Sequence, residues 1–446
     1  MARHDSLFFP PAANGWAHPG YTPRPTAQQA ARQEHGWRLF GLWILFGAAL
    51  YQMALCLVHT HVFAVRTAMV GAAEFVLYLG CLLVLARRLQ LDVVAILSLC
   101  AAYLLLLALL RGSLDAKGFR DLLIVLLFYW LGRSVGDVRT ADRFLRILIG
   151  VVLLFGFFEM FFVEYYSRVF NVFSYYVSQG GLRGTNWIKD NTLALNSMRP
   201  EGIGRTILPG LLGAHRVSSI FLEPVSLGNF AVITAAWGLS KEKTEWRWML
   251  FFVGAAMLMI TLADSRYGLM TISCLILMRL AFRGRMHYLL MFLPLVCVLM
   301  LIGIALFLPD YHGDNMLGRL RITGVVLSEF GIGELMGLKG YNLGFGDMGY
   351  AVLLTRFGLP FFVALWIGFW MIRMKDEQGI RFRAYAALYM SLILAISGTS
   401  LMALKTAGVL WFLIGCCALR EKPAVARGFA DTPAPQSANR KASHVS

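Results

Sequence analysis

The chain has 446 residues, 58% hydrophobic and only 15% charged, with a formal net charge of +16. Soluble globular chains carry about 25% charged residues, so this composition excludes a soluble enzyme or nucleic-acid-binding module and places the chain in a bilayer. The seven cysteines (Cys56, Cys81, Cys100, Cys274, Cys297, Cys416 and Cys417) all fall inside apolar runs, so neither a disulfide nor a zinc site is expected.

Residues 1–37 read as a disordered cytoplasmic tail, because Pro10, Pro11, Pro19, Pro23 and Pro25 interrupt a polar stretch with no apolar core. Apolar runs of about 18–22 residues follow, each long enough to cross roughly 30 Å of hydrocarbon as a helix. The expected spans are 39–58, 67–86, 91–110, 119–136, 145–164, 221–240, 248–264, 267–282, 287–308, 349–372, 383–398 and 403–419. They predict an all-α polytopic protein with about twelve transmembrane helices in one domain, 38–419, followed by a second tail at 420–446.

Orientation follows from the short connections. Arg87 and Arg88, then Arg133, Arg139, Arg143 and Arg146, then Lys241, Lys243 and Arg247, then Arg279, Arg283 and Arg285, then Arg373, Lys375, Arg381 and Arg383 share one side with both termini. That side is expected to be cytoplasmic, with Thr244 and Gln378 inside and Asn191 and Asn315 outside. The connection holding Arg111, Lys117 and Arg120 is an exception to the charge bias.

Two long loops, about 165–220 and 309–348, are expected on the outer side. The first carries Arg168, Arg183, Lys189, Arg199, Arg205 and Arg216, the second Arg319, Arg321 and Lys339. Long loops translocate largely regardless of charge, so a solvated surface explains some of these residues. An anionic ligand explains their crowding better, since arginine's fork suits phosphate oxygens.

Four charged clusters converge on this side. Arg216-Val-Ser-Ser-Ile-Phe-Leu-Glu223-Pro places an arginine and a glutamate at the mouth of a span, seven residues apart, about two turns if helical, so the two could share one face. Asp264-Ser-Arg266-Tyr267-Gly is a tight turn between two apolar runs, where a snorkelling arginine paired with Asp264 is the plain alternative. Gly340-Tyr341-Asn342-Leu-Gly-Phe-Gly-Asp347 lets the chain turn before the next helix, with Asp347 placed as an N-cap or a site residue. Arg356 lies about two turns inside that helix and needs a partner or a water-filled cavity.

These segments resemble the O-antigen polymerase/ligase superfamily of bacterial inner-membrane glycosyltransferases, the Wzy-type and WaaL-type proteins. The resemblance rests on Arg216 followed by Phe-Leu-Glu-Pro and Gly-Asn, on Ser265-Arg266 after an apolar helix, and on Asp347-Met-Gly-Tyr with Phe357-Gly-Leu-Pro. It spans about residues 39–419 and implies a GT-C-like architecture with two periplasmic loops. Ligases of the group resemble each other in a His-Asn-rich segment at the end of the second loop. Here that region reads Gly-Tyr341-Asn342-Leu and holds no histidine, and His312 lies too early. The reading therefore moves towards a polymerase of the exopolysaccharide or capsule kind, with ligase as the alternative. A flippase for an anionic lipid-linked glycan stays open as a second alternative, although the halves show no clear repeat.

The implied substrates are undecaprenyl-diphosphate-linked oligosaccharides, as donor and acceptor, with a chain-length-regulating co-polymerase as a further partner and membrane lipids around. The leaving diphosphate calls for cations, a role that suits Arg216, Arg266 and Arg321. The acceptor hydroxyl calls for a carboxylate base, Glu223, with Asp347 as the second candidate. Arg199, Arg205, Arg319, Tyr267, Tyr341, Asn342 and Arg356 are expected to line the substrate. No Asp-x-Asp pair lies on this face, so a metal-independent displacement without cofactor is expected, with inversion preferred to a double displacement by two carboxylates about 5 Å apart.

Overall fold

The computed structural model describes residues 27–87, 91–179, 205–212, 215–281, 284–313, 315–340, 343–346, 348–398 and 400–420. Among these residues the regular structure is helical, apart from one antiparallel bridge between Met374 and Ala418. Helix α1 (Ala27–His61) begins inside the stretch expected to be tail. Its first turns, rich in Ala, Gln, Arg and Glu, are strong helix formers and extend the apolar span. Helices α2 (Thr67–Ala86), α3 (Leu91–Arg111), α4 (Ala116–Val135) and α5 (Val138–Phe161) follow. Asp115 and Asp137 start α4 and α5 by accepting the Gly118 and Thr140 amides at 2.9 and 2.7 Å.

The first expected loop holds three short helices, α6 (Val163–Val169), α7 (Val172–Ser178) and α8 (Pro209–Leu212). Next come α9 (Pro224–Ser240), α10 (Trp246–Ala263), α11 (Arg266–Ala281) and α12 (Leu293–Phe307). The second expected loop holds α13 (Met316–Ser328) and α14 (Ile332–Leu335). The chain ends with α15 (Gly349–Phe357), α16 (Leu359–Met371), α17 (Glu377–Ile393) and α18 (Leu404–Cys417). The span expected at 349–372 is not one rod: α15 and α16 meet at 107°. Gly358, at φ 76°, makes the corner that a side chain would resist.

Among the described residues, six helical segments are long and apolar enough to cross a membrane, those of α1, α2, α3, α5, α10 and α12, and the bent α15–α16 pair brings the number to seven at most. Length and hydropathy thus support a polytopic membrane protein without yielding twelve spans. The physical reason lies in the packing. Helices α9 and α18, of 17 and 14 residues, are buried along nearly their whole length, and α17 largely so. Helices solvated by protein need neither the length nor the apolarity that lipid demands. Helix α18 lies so close to α4 that a Cβ on Gly132 would strike the Phe412 carbonyl and one on Gly415 the Tyr129 carbonyl, a small-residue contact typical of membrane helices.

Side-chain contacts sort the helix ends into two groups. At one end Lys241 pairs with Asp142 at 2.7 Å, Arg279 and Arg381 bond the carbonyls of Lys241 and Ser240, and Arg133 meets Asp92 at 3.5 Å. The other end gathers Glu223, Arg216, Arg266 and Arg356.

Candidate active site

Glu223 sits on the turn just before α9. Its side chain is 37% exposed between buried Leu222 and Pro224. The residue that holds it is Lys405, at the start of α18, with Nζ 3.0 Å from Oε2. Ser226 Oγ donates to the same oxygen at 2.9 Å. The Lys405 ammonium and the Ser226 hydroxyl thus meet on one carboxylate oxygen. Sequence spacing had suggested Arg216 as the partner. Lys405 spends its other two protons on Phe221 O at 2.7 Å and Gln52 Oε1 at 2.9 Å, so its ammonium is fully satisfied and fixed.

From Lys405 a chain of polar contacts runs across five helices. Gln52 Nε2 donates to Tyr51 Oη at 3.2 Å, and Tyr51 donates to Glu74 Oε1 at 2.8 Å. Arg120 reaches Glu74 Oε2 at 3.3 Å and Asp121 Oδ1 at 2.8 Å. Arg356 then bonds Asp121 Oδ2 at 3.1 Å and Asp115 Oδ2 at 2.7 Å. Glu74, Asp121, Arg356 and Lys405 are all buried. A connected set of this kind fixes its members' rotamers and places Glu223 and Arg356 on one framework. Arg111 adds to it by donating to the carbonyls of Thr355 at 3.2 Å and Arg356 at 2.6 Å, where the break at Gly358 leaves them without helical partners. The charge exception at Arg111 and Arg120 therefore belongs to this buried network, as does the lone carboxylate Glu74 inside an apolar helix.

Several expected anion-binding arginines are engaged with helix C-termini. Arg205 is buried and donates to Ile207 O at 3.1 Å, His215 O at 2.8 Å and the carbonyls of Thr261 and Leu262 at the end of α10. Arg216 donates to Ala263 O at 3.0 Å, and Arg321 to the carbonyls of Leu308 and Pro309 after α12. Such contacts satisfy the orphan carbonyls and complement the helix dipole. Asp264, left-handed at φ 46°, accepts the Thr206 and Ile207 amides at 3.0 and 2.8 Å. These bonds dock residues 205–207 onto the turn ahead of α11. Tyr267 directs its hydroxyl at Tyr389 O, 3.4 Å away, in the contact between α11 and α17. Arg319 is exposed on α13. Arg199, Tyr341, Asn342 and Asp347 lie outside the described residues. Arg266 is exposed and has a single hydrogen bond among the described residues, to Thr206 Oγ1 at 2.6 Å. It is the arginine best placed to take a phosphate.

Beside this framework an apolar cavity of about 690 Å³ separates α3 from α4 and α16. Tyr103, Leu122, Phe357 and Phe361 line one end, adjoining Asp121 and Arg356 in sequence, while Asp92 and Arg133 close the other. No known protein family, curated protein or solved structure matches the chain.

Arg266→Ala should weaken binding of a diphosphate-bearing lipid at normal membrane levels, and Lys at position 266 should restore only part, because a point charge lacks the fork. Binding of such a lipid to the purified variants measures this. Wild-type binding by Arg266→Ala would reduce that residue to a snorkelling arginine.

Proposed function

We propose that the protein polymerises lipid-linked oligosaccharide repeat units by metal-independent glycosyl transfer on the outer face of the bacterial inner membrane, with about twelve helices crossing and both termini inside. The observation that carries the reading is the partly exposed carboxylate Glu223, paired with Lys405 at 3.0 Å at the same end as the exposed Arg266. In the proposed step the acceptor hydroxyl oxygen bonds to the donor's anomeric carbon. The bond from that carbon to the diphosphate oxygen breaks, its electron pair leaves with the diphosphate, and the hydroxyl proton passes to Glu223. Arg266 stabilises the charge that develops on the leaving group. The cavity between α3, α4 and α16 suits the carrier's prenyl chain, since its walls are almost wholly apolar and one end abuts the charged framework. The missing histidine after the second loop favours polymerase over ligase.

Deletion of the gene should abolish long polymer while single repeat units persist on the carrier. Long polymer accumulating on the carrier, without reaching a final acceptor, would make the protein a ligase instead.

A further inference from the structure

We infer that Glu159 is a positioning residue that holds Glu223 against Lys405 by clamping the turn Ser218–Leu222. Glu159 lies on α5, is 1% exposed, and carries no part of the chemistry proposed above. Both of its carboxylate oxygens are taken by backbone amides of that turn. Ser218 N donates to Oε1 and Oε2 at 3.0 and 2.9 Å, and Ser219 N donates to Oε2 at 2.6 Å. Acceptance of consecutive amides by one carboxyl group is the arrangement of a backbone nest, with the acceptor supplied by the protein itself. The turn needs such a clamp. Ser219 and Leu222 are left-handed, at φ 52° and 58°, a conformation that non-glycine residues leave unless their surroundings impose it. Two further contacts close on the same turn: Ser219 Oγ donates to Val152 O at 2.6 Å and Tyr166 Oη donates to Ser219 O at 2.9 Å. Leu222 is the residue before Glu223, so relaxation of its left-handed backbone would swing the carboxylate away from Lys405, which is itself tied to Phe221 O. The inference rests on Glu223 being the base, but the clamp has a readout of its own.

The experiment compares wild type, Glu159→Gln, Ser219→Gly and the double variant. Glutamine keeps the size of Glu159 but turns one acceptor into an amino group that faces the amides. Hydrogen exchange of the peptide spanning Ser218 and Ser219 should accelerate in Glu159→Gln, and polymer should fall about a hundredfold, as for a displaced catalytic group. Glycine accepts the left-handed backbone freely, so Ser219→Gly added to Glu159→Gln should recover polymer about tenfold. A residue that only fills the core would give no such recovery. Unchanged exchange in Glu159→Gln, or no recovery in the double variant, overturns the inference. If Glu159→Gln fails to accumulate, the double variant must accumulate for the clamp to stand. Normal polymer from Glu223→Gln would reject the base while leaving the exchange data to judge the clamp.

Discussion

Glu223→Gln should leave membrane levels and binding of the lipid donor normal and reduce polymer by at least about a hundredfold, the lower end of what general-base catalysis contributes. Stability should survive because the partners are not orphaned. The glutamine oxygen still accepts from Ser226 and Lys405, and Lys405 keeps Phe221 O and Gln52 Oε1. What disappears is the carboxylate proposed to take the hydroxyl proton. Lys405→Met is the complementary change, because it leaves Glu223, Gln52 and the Phe221 carbonyl without their shared donor. Gel sizing of glycan from a complemented deletion strain, alongside a donor-binding measurement on purified protein, reads both effects. Near-normal polymer from Glu223→Gln would make the Glu223–Lys405 pair scaffolding and move the search for a base to Asp347.

The helical architecture was readable because hydropathy writes it directly: each expected apolar run falls on a helix or, at 287–308 and 349–372, on a helix pair or a 3₁₀ extension. Partners were not readable, and Lys405 shows why. It lies 182 residues from Glu223, at the start of a short span, and only the packing of α18 against α4 and α9 brings it there. The arginines expose a second limit. A guanidinium that caps a helix C-terminus and one that awaits a phosphate are the same residue at the same place in the sequence, since both belong at the ends of spans. Arg205, Arg216 and Arg321 turned out to be bonded to terminal carbonyls, whereas Arg266 stayed exposed. Lone carboxylates inside apolar runs were the unused signal: Glu74 and Glu159 each organise a site element, and a charge in a membrane helix demands a partner.

Arg356 should behave as framework. Its side chain is 4% exposed, and its partners Asp115 and Asp121 are 22% and 3% exposed, so the set is close to a buried ion cluster. Removing one member of such a cluster costs about 3–5 kcal/mol, mainly by stranding the opposite charges. Arg120 still holds Asp121 at 2.8 Å, which places Arg356→Met at the lower end, about 3 kcal/mol. Asp115 would keep its amide contact with Gly118 but lose its cation. Thermal unfolding of the purified protein in detergent and its abundance in membranes should both fall. A substrate-binding arginine would instead unfold like wild type and lose only activity. The double variant Arg356→Met with Asp121→Asn decides between them. Neutralising the stranded carboxylate should return part of the lost stability, a coupling of about 0.5–3 kcal/mol, because the two groups touch. Additive losses would mean that the pair seen at 3.1 Å contributes nothing, and that Arg356 serves the ligand alone.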